Sequence, residues 1–194
     1  METLLPMVLF AFVSSITPGP NNIMLTSSGI LFGFGRTVPH LFGVTAGFGA
    51  MLFLCGAGVG SLVLAMPALH TGLKTAGSAY LLYLAWQLRC MRLRDAEHAP
   101  LRPLSFAGAA GFQFVNPKAW VMAVGGVAAF LPEAAPGGIG LLCLVFCMVN
   151  FCCISLWAGA GAALRRQLAR PAWQKAYGAV MALLTVYAAF SLWL

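Results

Sequence analysis

Two short runs in an otherwise apolar chain carry the residues able to do chemistry. One is Thr17-Pro18-Gly19-Pro20-Asn21-Asn22, and the other is Gln113 followed by Asn116-Pro117-Lys118. Proline has no N–H to donate, so Pro18 and Pro20 deprive the carbonyls of Ser14 and Ile16 of helical partners, and Pro117 does the same to Gln113. The order at each break also suits a new helix start, with Gly19 or Asn116 as the cap and Pro20 or Pro117 at the first helical position. The N–H groups of Asn21 and Asn22, and of Lys118 and Ala119, then form positive poles that attract an anion. Freed carbonyls offer the opposite partial charge. A concave site between the breaks would hold a carboxylate and an ammonium together, as an amino-acid zwitterion presents them.

The elements that position these runs belong in a bilayer. Of 194 residues, 61% are hydrophobic and 8% charged, and the mean hydropathy is +0.90. A soluble domain carries roughly a quarter charged residues. Six apolar stretches run over about 4–32, 41–66, 71–88, 105–131, 139–164 and 173–194, each near the ~20 residues that cross a membrane as a helix. The fold expected is all-α and integral to the membrane, a single domain over 1–194 with no room for a soluble catalytic unit. The segment before residue 30 lacks a basic start and a small-residue cleavage site, and reads as a retained helix.

Charge orients the six helices. The loops after the first, third and fifth hold Arg36; Arg89, Arg92, Arg94 and Arg102; and Arg165, Arg166, Arg170 and Lys175, against Lys74 alone in the others. The positive-inside rule puts the odd loops in the cytoplasm and both termini outside. The basic residues sit in short gaps, not on one face with polar and aromatic neighbours, so nucleic acid is not the expected partner. The proline breaks and the spacings Lys74-x-x-Gly77 and Lys175-x-x-Gly178 recur at an offset of about one hundred residues. This suggests halves of about 1–98 and 99–194. With three helices each, the second copy enters from the opposite side, a 3+3 inverted repeat whose first and fourth helices are broken.

Lys118 is the one charge placed near mid-membrane, where a charged side chain by default marks a pathway; snorkelling to the surface is the competing reading. Glu2, Asp95, Glu97 and Glu133 all lie outside the apolar stretches. No intramembrane carboxylate can neutralise Lys118, whereas a substrate carboxylate can. Ion coupling then falls to Lys118, His40, the substrate or backbone groups. His40 and His70 lie near expected helix ends and read as structural or solvated.

The remaining features read as packing. Five of six cysteines fall in apolar stretches without a CxxC pair or an accompanying His, so no metal site or cofactor is expected. The Gly43-Gly47 and Gly56-Gly60 spacings permit close helix approach, within the chain as the first reading and in a homodimer as the second. Asn150, a lone polar group in its stretch, is expected to bond a neighbouring helix.

The motifs Thr17-Pro18-Gly19-Pro20-Asn21-Asn22, Gly33-Phe34-Gly35-Arg36, Gly43, Gly47, Gly77-Ser78-Ala79-Tyr80-Leu81-Leu82-Tyr83-Leu84-Ala85-Trp86 and Gln113-Phe114-Val115-Asn116-Pro117-Lys118-Ala119 together resemble the LysE/RhtB amino-acid exporters over the whole chain. The stretches around the two breaks are similar to the cysteine/O-acetylserine exporter branch. The resemblance implies efflux of amino acids or close derivatives across the bacterial inner membrane, driven by an ion gradient, with a threonine/homoserine type of substrate as the variant. It directs attention to Thr17, Pro18, Gly19, Pro20, Asn21, Asn22, Gln113, Asn116, Pro117 and Lys118 as substrate-binding residues. Many family members have Asp where Asn21 stands, so the uncharged Asn21 turns the expectation toward neutral zwitterions. Rival readings are a small-ion or metal exporter, disfavoured by the lack of intramembrane acids, and a thiol electron-transfer membrane protein, which wants a cysteine beside each break. A membrane enzyme has no His/Asp cluster, paired carboxylates or phosphate loop to work with.

Overall fold

The structure, a computed structural model, describes residues 3–59, 102–131, 138–165, 167 and 171–191, with isolated positions between 65 and 86. Seven α-helices and no strand occur among these residues: α1 Leu4–Ile16, α2 Pro20–Phe32, α3 Phe34–Gly56, α4 Phe106–Phe112, α5 Pro117–Phe130, α6 Gly138–Leu164 and α7 Pro171–Ser191. A 3₁₀ turn, Gln113–Val115, continues α4. Most of the expected third helix, the Lys74-x-x-Gly77 spacing, the basic connector at 89–98 and the 132–137 turn lie outside the described residues.

Both proline breaks form where the missing N–H groups demand them. Thr17 and Gly19 are extended, α2 restarts on Pro20, and α1 and α2 are bent by 58°. On the approach to the second break Ser105 caps α4 by accepting from the Gly108 N–H at 3.1 Å, and Asn116 is extended before α5 starts on Pro117.

α2 ends at Gly33, whose φ of 79° lies in the left-handed region that glycine tolerates. α3 then begins at Phe34, well before the boundary near Leu41 that hydropathy suggests. Its polar first turns are tied inward: the Thr37 hydroxyl donates to the Gly33 carbonyl at 2.9 Å and lies 2.9 Å from the Ser28 hydroxyl. Pro39 removes only one bond near the helix start. His40, expected at an interface, is buried.

By length and composition α3 and α6 can each cross a membrane, and the bent α1–α2 pair makes a third candidate span. α6 is the central post. It packs against α1, α2 and α3, and its residues enter two separate cores. Leu142 and Phe146 join Met7, Ala11, Phe48, Met51, Leu52, Met122 and Ala123, while Ile154 and Ala158 join Leu25, Leu41, Val44 and Ala109. Its outer face, with Leu144, Met148 and Leu156 exposed, is apolar as well, as a helix meeting lipid should be.

Small residues set the helix spacings. A Cβ on Gly29 would strike the Ala158 carbonyl, and one on Gly161 would strike the Thr26 carbonyl, so the α2 and α6 backbones touch directly. Gly43 and Gly47 meet Phe106 and Ala110 of α4 in the same way; the Gly43-Gly47 spacing is used inside the chain. Because interfaces in lipid rest on such close packing, Gly29→Val and Gly161→Val should each destabilise the protein by about 1–3 kcal/mol, the range for overpacking. Gly159→Val, on α6 with open space at its Cβ position, should leave the melting temperature in detergent unchanged. Equal effects at all three positions would remove the backbone contact as the cause.

Candidate functional site

The first break leaves five carbonyls, those of residues 14–18, without helical partners, and each has a replacement. The Thr17 hydroxyl donates to Ser14 O at 3.0 Å. Asn22 Nδ2 reaches back to Ser15 O at 2.9 Å and Thr17 O at 2.7 Å, and Trp157 Nε1 donates to Ile16 O at 3.1 Å. Lys118 Nζ, coming from the start of α5, donates to Thr17 O, to Thr17 Oγ1 at 3.1 Å and to Pro18 O at 3.4 Å. An unpaired carbonyl away from water costs several kcal/mol, so these four side chains make the break tenable. The carbonyls expected to be open to a ligand are thus engaged by the protein itself, and Lys118 folds back onto the break.

The second break is closed more locally. The Asn116 N–H takes the Gln113 carbonyl at 3.1 Å. Asn116 Oδ1 accepts from the Lys118 N–H at 3.2 Å, and its carbonyl accepts from the N–H groups of Ala119 at 3.0 Å and Trp120 at 3.3 Å. The pole expected at Lys118 and Ala119 is therefore capped by Asn116. At α2 the situation differs: Gly19 has no side chain to cap with, and among the described residues no acceptor meets the backbone N–H of Asn21 or Asn22. This helix start keeps its partial positive charge.

The two breaks are tied together twice. Besides the Lys118 contacts, Asn21 Nδ2 donates to Gln113 Oε1 at 2.8 Å and Gln113 Nε2 donates to Asn21 Oδ1 at 3.1 Å. Gln113, fully buried, spends its other amide hydrogen on Ala109 O at 3.0 Å.

Between the breaks lies a small, open-sided cavity. Six of the ten expected site residues line it: Gly19, Pro20, Asn21, Asn22, Asn116 and Lys118. The other four act from behind: Thr17 and Pro18 hold Lys118, Gln113 holds Asn21, and Pro117 opens α5. The α2 pole and the Lys118 ammonium give one wall positive character. The lining also includes Asn150, whose Nδ2 donates to Ser15 Oγ at 3.2 Å and whose buried Oδ1 has no partner among the described residues.

A model of the LysE type translocators matches residues 12–194. The chain belongs to the LysE family. It is a transporter and a membrane protein, not an enzyme. It is 34% identical over 195 residues to a cysteine/O-acetylserine efflux protein of Salmonella choleraesuis, a match covering 95% of this chain and 96% of that one. It is 32% identical, with the same coverage, to one from Shigella flexneri. A third, from Escherichia coli, is 31% identical over 186 residues, 93% of this chain and 92% of the relative. No solved structure matches the chain.

Within this LysE-family site, sequence reasoning missed Ser15, Phe48 and Met122 of the cavity wall and the cap from Trp157, and it named Ser14 and Ala119 for their backbone groups only. The apolar ones carry no mark in an apolar helix. Asn150 gave a signal as the one amide side chain of α6, and its bond to α1 is as expected. Cys143 and Cys147 turn their thiols toward the carbonyls of Gly49 and Thr45 on α3, at 4.0 and 3.9 Å.

The Asn21–Gln113 pair predicts a coupled cost. Gln113→Leu leaves the Asn21 amide unpaired and should lower stability by about 1–3 kcal/mol, read as a drop in the detergent melting temperature. Asn21→Leu should then cost less in the Gln113→Leu background than in the wild type; equal costs would show that the amides do not act as a pair.

Proposed function

We propose that this LysE-family transporter exports small neutral amino acids or their close derivatives from the cytoplasm, held as zwitterions in the cavity between the breaks. The observation that carries the reading is the pole at Asn21 and Asn22, which among the described residues meets no acceptor, in a cavity also lined by Lys118 and by Asn150, whose side-chain oxygen has no partner among those residues. A carboxylate is stabilised at a helix N-terminus, and a second positive group beside it strengthens that preference. Phe48, Ala119 and Met122 offer an apolar wall to a short side chain. The relatives' names, cysteine/O-acetylserine efflux protein, fall in this substrate class.

The same reading takes the chain as six spans: the bent α1–α2 pair, α3, the residues around 71–86, the α4–α5 pair, α6 and α7. The halves, about 1–98 and 99–194, form a 3+3 inverted repeat. The distribution of Lys and Arg supports cytoplasmic odd loops and periplasmic termini in the bacterial inner membrane. An ion gradient drives export, and with no Asp or Glu in the apolar stretches its coupling runs through other groups.

Expressed in a host sensitive to single amino acids or dipeptides, the wild type should raise extracellular release of a neutral amino acid. Lys118→Ala and Asn116→Ala should return release to the vector background while the protein still reaches the membrane fraction. Full export by the Lys118 variant would remove its role. In the proposed orientation, alkaline phosphatase fused after Leu194 should be active; an inactive fusion with normal membrane insertion would reverse the topology.

A further inference from the structure

The Lys118 side chain does more than line the cavity. Its ammonium sits among three acceptors from one short segment: Thr17 O, Thr17 Oγ1 and Pro18 O. An ammonium has three donors, and these acceptors engage them. No Asp or Glu occurs among the described residues, so carbonyl and hydroxyl dipoles alone hold this charge. The arrangement is an ammonium seat built from a broken helix, filled by a cation tethered to the other broken pair.

Gly19 shows that the seat is shaped for this occupant. Its φ of −170° is extended backbone that any residue adopts, so the glycine is not required by conformation. A Cβ at this position would fall 2.6 Å from Lys118 Cδ, 3.0 Å from Nζ and 3.3 Å from Cε. The glycine leaves space for the lysine.

We infer that Lys118 is a built-in stand-in for the substrate's ammonium: it fills the Thr17–Pro18 seat in the empty transporter, and a zwitterion binds by exchanging its own ammonium for that of Lys118. The inference rests on the zwitterion reading above. A zwitterion is suited to the exchange because it brings both groups needed. Its ammonium takes over the carbonyls, and its carboxylate, drawn to the Asn21 and Asn22 N–H groups, receives the displaced Lys118. The charge of the site rises by nothing. A simple amine would leave Lys118 without a partner, and an N-acylated amino acid has no ammonium to offer the seat. The empty seat is a minor state, and the apparent affinity is lowered by the fraction of time that Lys118 occupies it.

Two measurements test this on the full-length protein in detergent. In the first, reductive methylation of the empty protein is followed by mass spectrometry. The chain has three lysines, and Lys175, which is exposed, serves as the internal reference. Lys118 should label slowly in the wild type and several-fold faster in Gly19→Ala, whose methyl group expels it. Equal labelling in the two proteins overturns the seat.

In the second, binding of the exported amino acid is read by thermal stabilisation. Gly19→Ala should bind it several-fold more tightly than the wild type and should have no effect in a Lys118→Ala background. Weaker binding from Gly19→Ala in both backgrounds, or an equal gain in both, overturns the exchange. If no amino acid stabilises or is exported by the wild type, the zwitterion reading fails and the exchange with it, while the labelling result still decides the seat.

Discussion

A helix broken away from water must find a partner for every carbonyl it frees, and the interior of this transporter is arranged around that requirement. Residues 14–18 lose their helical bonds, and the replacements come from Thr17, Asn22, Trp157 and Lys118. They reach the break from α1 and α2 themselves, from α6 and from α5. Satisfying one local defect therefore fixes where three neighbouring helices stand and how they are rotated. The opposite ends of the defect, the N–H groups of Asn21 and Asn22 at the start of α2, are not covered by any of the described residues, and the cavity opens beside them.

This asymmetry distinguishes the two breaks. Asn116 closes its own, with Oδ1 on the Lys118 N–H and its carbonyl shared by Ala119 and Trp120. Gly19 has nothing to offer its own helix start and instead gives room to a lysine from the other side. The first break depends on the rest of the molecule; the second is nearly self-contained and serves as the anchor from which Lys118 and, through Gln113, Asn21 are held.

What the sequence makes legible follows from range. The breaks, the caps and the restarts are local consequences of Pro18, Pro20, Asn116 and Pro117, and the structure has them at those residues. The uncompensated charge of Lys118 is legible too, from the placement of the four acids. Its partner is not, since a lysine stem reaches acceptors about a hundred residues away, and only the folded chain shows that carbonyls get there before any ligand does. Trp157 and Phe48 are illegible for a related reason: in a helix that is apolar on all sides, hydropathy carries no information about rotation. The start of α3 shows the converse error, for Thr37 and His40 look like loop residues until the Gly33 carbonyl and the Ser28 hydroxyl appear beside Thr37.

The contact between α2 and α6 has one more consequence. At Gly29 and Gly161 each backbone rests against a carbonyl of the other helix, with no side chain between them. A methyl group at either point would push the pair apart, so these two glycines set the minimum spacing between the helices. With Leu25, Ile154 and Ala158 packed in one core, the long helix that carries Asn150 and Trp157 is held at a fixed distance from the restarted helix, and the groups it sends to the break arrive in register.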